Sequence, residues 1–235
     1  MRHTTATCLD ATLPQLVLGK SRHRLAKIQK PMRTRIVENL KSLSIQAHLV
    51  SPAADGDHVL NHRSRHSGPI TPAAVLVPII EREDGYSVLL TQRTAHLNKH
   101  AGQISFPGGR AEAHDADAVA TALRETQEEI GLGAEFIEVV GLLDNYQTGT
   151  GFIVTPVVSF VRPGFSLALN DFEVAEAFEV PLDFIFEPRN HRIESRPWQD
   201  TERRYYALRY QQRFIWGATA GMLVNLYRRA HGKLK

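Results

Sequence analysis

A single cysteine, Cys8, is all the thiol this chain holds, so no intramolecular disulfide framework is available and a reducing compartment is expected. Cys8 sits in a segment expected to fray, and no chemistry is assigned to it. No apolar run approaches the roughly 18 residues of a membrane span. The amino-terminal residues are broken by charges and prolines where a secretory signal would need an apolar core. These absences lead to the expectation of a cytoplasmic protein with no membrane partner. Helix-turn-helix and finger patterns are also missing, as is an interleaved aromatic platform, which argues against nucleic acid. The formal charge of +3, much of it from Lys20, Arg22, Arg24, Lys27, Lys30, Arg33 and Arg35, reads as solvated surface. The alternative is a positive field that draws an anionic substrate.

A chain of 235 residues can bury one large core and carry a small appendage. Residues 1–70 are expected to form an amino-terminal extension, with an amphipathic helix over Arg35–Leu49 and a loop or linker around Ser51–Pro72. From residue 71 the pattern changes. Ala73–Ile80 and Tyr86–Gln92 are apolar strand candidates joined by an acidic turn ending in Asp84-Gly85. Strands follow near Glu135–Leu143, Phe152–Val161 and Arg203–Tyr210. A short helix is expected over Leu182–Phe186 after Pro181, and a terminal helix over Phe214–Tyr227, with Trp216 in its core. Mixed strands around a central helix suggest an α/β/α sandwich over residues 71–235.

The chemistry is concentrated in the middle of the chain. A strand candidate, Gln103–Phe106, runs through Pro107 into Gly108-Gly109, and a run of helix formers follows from Ala116 to Ile130, with Gly131 placed to end it. Glycine lets backbone approach a ligand or metal closely. Glu125 and Glu129 are four apart and share a helix face, with Glu128 beside it; like charges at that spacing repel. A hard divalent cation turns this cost into binding, often together with substrate phosphates. The competing interpretation is an exposed acidic face with Arg124 offsetting Glu128. Asp115 reads as a helix cap. Arg93 and His100 flank the glycine loop and are candidates for phosphate contact. Glu173 and Glu176, in Asp171–Glu176, are later acidic candidates whose spacing would let both face one way on a helix.

Gly109, Asp115, Arg124-Glu125, Glu128-Glu129 and Gly131-Leu132 resemble the signature of the Nudix hydrolases. Asp in place of Glu at 115, and one extra residue before Arg124, resemble the coenzyme A pyrophosphatase branch. So do Leu89–Thr94, the run from His100 to Gly109, Thr121–Glu125 and Ile215–Ala220. Asn98 departs from it, standing where many relatives carry arginine. The resemblance raises the α/β/α sandwich with a mixed sheet from plausible to expected. It implies Mg²⁺ or Mn²⁺ held by Glu125, Glu128, Glu129 and the Gly109 carbonyl, with Arg124 orienting the glutamates and water attacking phosphorus. The general base would come from the helix or from Glu173 or Glu176. The implied substrate is coenzyme A or a derivative, cleaved to 4′-phosphopantetheine and adenosine 3′,5′-bisphosphate. The alternatives are another nucleoside diphosphate derivative, such as ADP-ribose or a dinucleotide, and a non-catalytic phosphometabolite sensor, whose usual clue is loss of glutamates that are all present here. Homodimers are frequent among such relatives, though no seam for one is evident in the sequence.

Overall fold

The computed structural model describes residues 32–40, 55–61, 68–96, 101–198 and 201–233. Its centre is a strand with neighbours along both edges. β2 (Thr71–Arg82) pairs parallel with β8 (Phe152–Val161) and antiparallel with β3 (Gly85–Arg93). Such a strand must bury both faces, and successive side chains leave opposite faces. Val77 and Ile79 accordingly join Val88, Leu90, Val158 and Phe160 on one side. Ala74 and Leu76 meet Ala122, Leu142 and Val157 on the other.

Around this pair the described residues form a mixed sheet. β1 (Asp55–Gly56), β7 (Tyr146–Gln147), β8, β2, β3 and β4 (Ile104–Ser105) follow in that order. β5 (Gly108–Arg110) pairs with β2, β6 (Ile137–Leu142) with β8, and β9 (Val174–Pro181) with β3. Helix α3 (Ala118–Ile130) covers one face through Ala122 and Ile130. The other face is covered by the short α4 (Leu182–Ile185), which buries Leu182 and Ile185, by α5 (Ala218–Ala230), with Leu223 and Leu226 fully buried, and by α1 (residues 32–40), which inserts Ile36 and Leu40. The result is the α/β/α sandwich with a mixed sheet. A second, antiparallel sheet of β10 (Arg192–Trp198), β11 (Thr201–Tyr210) and β12 (Arg213–Trp216) places Tyr206, Leu208 and Ile215 in the α5 side of the core. Among the described residues no helix is long and apolar enough to cross a membrane.

Two expectations change, and a third lies partly outside the described residues. The terminal helix begins at Ala218, because Arg213–Trp216 pair with β11 and Gly217, at φ 66°, turns the chain between strand and helix. An apolar strand running straight into helix formers cannot be divided by periodicity. The stretch expected as linker contains β1 and α2 (Asp57–Asn61). Asn225 Nδ2 donates to Asp55 Oδ2 at 3.0 Å, and Asn61 exchanges hydrogen bonds with the Arg204 backbone, which holds this stretch on the core. Of the helix expected over Arg35–Leu49, residues 41–49 lie outside the described residues.

Gly221 lies in the interior of α5, where glycine costs helix stability. A Cβ there would stand 2.6 Å from Cε2 of Tyr146, a ring 3% exposed. Gly221→Ala should therefore lower the melting temperature despite alanine's better helix propensity, by the ~1–3 kcal/mol typical of overpacking. Thermal denaturation checks the sign, and a more stable variant would show that helix propensity outweighs the contact.

Candidate active site

α3 is fixed at both ends by its own sequence. Asp117 is the amino-terminal cap and accepts from the Ala120 amide at 2.8 Å, while Gly131 closes the other end in the left-handed region at φ 67°. Asp115, expected as the cap, has another partner. Its carboxylate accepts Arg124 Nε and Nη2, both at 3.0 Å, together with the Thr121 hydroxyl and the Glu112 amide. Two aspartates near a helix start compete for the cap, and the arginine's paired donors settle which one is left to it. Arg124 holds the carboxyl of Asp115 well below the usual carboxylate range.

The glycine loop lies on β2 and reaches the helix from there. β5 pairs with β2, setting Gly108 opposite Val75 and Gly109 opposite Ala74. Gly108 has φ 147°, and a Cβ on it would lie 2.4 Å from the Ala74 carbonyl oxygen. A Cβ on Gly109 would lie 2.5 Å from the Glu125 carboxylate. Only glycine permits both approaches.

The Gly108 amide donates to Glu129 Oε2 at 3.0 Å. Glu129 is 5% exposed. Burial pushes its pKa up to about 7, opposed by the Gly108 bond and by Arg93, whose Nη1 stands 3.6 Å from Oε1. The negative charges of Glu125 and Glu173 push it up further. Burial likewise raises the pKa of Glu125, with Arg124 opposing and Glu128 and Glu173 adding to it. Three carboxylates thus press on one another in a poorly hydrated place, an arrangement whose cost a cation would remove.

Other residues expected at the site divide. Arg124 Nη1 meets Glu125 Oε1 at 3.1 Å and Glu128 Oε2 at 3.0 Å, and Nη2 also donates to the Arg110 carbonyl. The side chain of Glu128 is 57% exposed and turned onto this arginine. Among the described residues no three His, Cys, Asp or Glu side chains converge in a ready metal cage. Glu173 and Glu176 are not on a helix. Residues 171–173 form a turn and β9 starts at Val174, with a bulge where it meets Gln92 and Arg93. Glu173 acts on Glu125 and Glu129, whereas Glu176 is gripped by Arg213 at 2.6 and 2.7 Å, which lowers its pKa. Arg93 stands at the site. His100 lies outside the described residues.

A cavity of about 430 Å³ opens beside Gly108 and Arg93 and extends over the outer face of the three-stranded sheet, where Arg196, Arg203, Tyr205 and Trp216 line it. Trp216, expected as helix core, is a partly exposed strand residue in this wall. The sequence carries no signal for Arg196 or Arg203 until the strand register is known.

The NUDIX domain family matches residues 70–200, more than half of the chain. A protein of Citrobacter koseri described as an uncharacterized Nudix hydrolase, NudL, is 40% identical over 179 residues, covering 76% of this chain and 88% of the relative. Its namesake in Escherichia coli K12 is 40% identical over 168 residues, covering 71% and 82%. The MutT protein from Methanosarcina mazei Go1 superposes with a TM-score of 0.45 at 19% identity, covering 72% of this chain and 99% of that one. The glutamate helix described above lies inside the matched segment, and the chain belongs to the Nudix family as a hydrolase of phosphoric anhydrides.

Proposed function

We propose that this chain hydrolyses the pyrophosphate linkage of a nucleoside diphosphate derivative by attack of water on phosphorus. The observation that carries the reading is the buried Glu129, tied to the Gly108 amide, next to a Glu125 carboxylate pressed against Gly109. Coenzyme A is the narrower substrate proposal, supported by the resemblance of Leu89–Thr94, the His100–Gly109 run and Ile215–Ala220 to that branch. ADP-ribose and dinucleotides are the other substrates of the same class.

Glu125 and Glu129, with the Gly109 carbonyl and the adjoining Glu128, are the groups proposed to hold Mg²⁺ or Mn²⁺. The donor set fits, since Mg²⁺ is commonly held by one or two carboxylates plus substrate phosphates and not by a closed protein cage. When bound, such an ion neutralises phosphate charge, orients the linkage and lowers the pKa of water. Arg124 fixes the glutamates through its bonds to Asp115, Glu125 and Glu128, a task suited to its planar fork. Arg93 is proposed to meet a phosphate oxygen, a role supported by its approach to Glu129 at 3.6 Å. Glu173 is the side chain assigned to take the proton of the attacking water, because its charge is felt at the buried Glu129 and the partly buried Glu125 while Glu176 is committed to Arg213.

Glu173→Gln should lower kcat by about 10²–10⁴-fold, the usual weight of a general base, with KM little changed. Glu176→Gln should stay within about threefold of the native rate, since a half-exposed ion pair contributes little. Steady-state kinetics on coenzyme A and ADP-ribose, with products identified by mass spectrometry, decide both; the reverse ranking of the two variants would reassign the base. Metal-dependent cleavage of ADP-ribose alone would remove coenzyme A and keep the mechanism.

Glu129 also ties function to stability. Its folded pKa lies above the ordinary 4.5, so the folded chain holds the extra proton between roughly pH 4.5 and 7, and stability falls as pH rises across that window. Glu129→Gln should lose metal-dependent turnover. In metal-free buffer at pH 8 it should nevertheless be more stable than the native chain, by on the order of 3 kcal/mol, with the gap closing near pH 4. Urea denaturation at the two pH values measures this, and a variant no more stable at pH 8 would contradict it.

A further inference from the structure

The cavity beside the glutamates holds a second concentration of positive charge. β10 and β11 pair with Arg196 directly opposite Arg203, so both side chains leave the same face of the sheet. Both line the cavity and both are partly buried. The Arg196 guanidinium lies over the Trp216 ring at 4.8 Å, and Trp216 meets Tyr205 edge-on at 5.3 Å. The planar guanidinium fork matches phosphate oxygens in charge and geometry, and two such forks on one face of one cavity suit an anion with several oxygens.

The position of the pair says which anion. Gly108 and Arg93, which contact Glu129, line the same cavity. With the anhydride at the glutamates, the two sheet arginines face a different group of the same substrate. The adjoining aromatic rings suit a flat heterocycle.

We propose that Arg196 and Arg203 bind a phosphomonoester carried on the base-bearing half of the substrate, with Tyr205 and Trp216 walling the base. The orientation rests on the pyrophosphatase reading given above. A phosphomonoester carries about −1.5 to −2 charge at neutral pH, so the pair selects nucleotides phosphorylated on the ribose over those with free hydroxyls. Coenzyme A has such a group, and ADP-ribose does not.

Calorimetric titration of the full chain, in Mg²⁺ buffer, with adenosine 3′,5′-bisphosphate and with adenosine 5′-monophosphate tests the proposal. The native chain should bind the bisphosphate at least about tenfold more tightly, as charge-assisted bonds to one added phosphate allow. The double variant Arg196→Gln, Arg203→Gln should bind the two nucleotides alike, with its affinity for the monophosphate within about threefold of native. Arg203→Gln alone leaves the Arg196–Trp216 contact in place and should reduce the preference, which keeps the test available if the double variant misfolds. Equal affinities in the native chain, a preference surviving in both variants, or binding of neither nucleotide would overturn the proposal. Failure of the pyrophosphatase reading shows elsewhere, as absent metal-dependent cleavage of both coenzyme A and ADP-ribose.

Discussion

The contact between the glycine loop and the backbone of β2 sets the rest of the site. Gly108 approaches Ala74 and Val75 more closely than any side chain would allow, and its amide is thereby carried to Glu129. β2 cannot yield to relieve the approach, because it is packed on both faces and paired on both edges. The loop's position is therefore inherited from the most constrained strand in the molecule. Catalytic geometry held this way depends on backbone, and backbone in a central sheet has few soft directions.

Charge is organised in two tiers around that contact. Arg124 draws Asp115, Glu125 and Glu128 into one cluster beneath the loop, so the helix tolerates carboxylates that would otherwise repel. Glu129 is treated differently, with burial, one amide bond and a longer approach from Arg93. The first tier has one arginine shared among three carboxylates, and the second has only the longer approach from Arg93. Under the proposed metal binding, that difference would make Glu129 the carboxylate with most to gain from an ion, since the least satisfied group gains most.

Much of this was legible in the sequence, for identifiable reasons. The β2–β3 hairpin announces itself through two apolar runs and the Asp84-Gly85 turn, and α3 through its helix formers and Gly131. The glutamate spacing follows directly from helix geometry. Other features depend on information no local pattern holds. Phe214–Trp216 reads as the start of a helix because nothing in an apolar triplet separates strand from helix, and only Gly217 and the pairing with β11 decide it. Glu173 and Glu176 look like neighbours on a helix, yet a turn and a bulge send one toward Glu125 and the buried Glu129 and the other to Arg213. The opposition of Arg196 and Arg203 is a property of register, invisible until two strands are aligned.

α5 has a consequence for how the chain is made. Leu223 and Leu226 of this helix lie in the same cluster as Ile36 and Leu40 from α1, and its Asn225 reaches Asp55. Segments from opposite ends of the described chain thus complete a single core. During vectorial synthesis at about 5–20 residues per second, the hairpin and α3 emerge long before the surface they need on the α5 side. The nascent chain therefore carries an open apolar face for several seconds after the glutamate helix has left the ribosome, and it is in that interval that a holding chaperone would have something to hold.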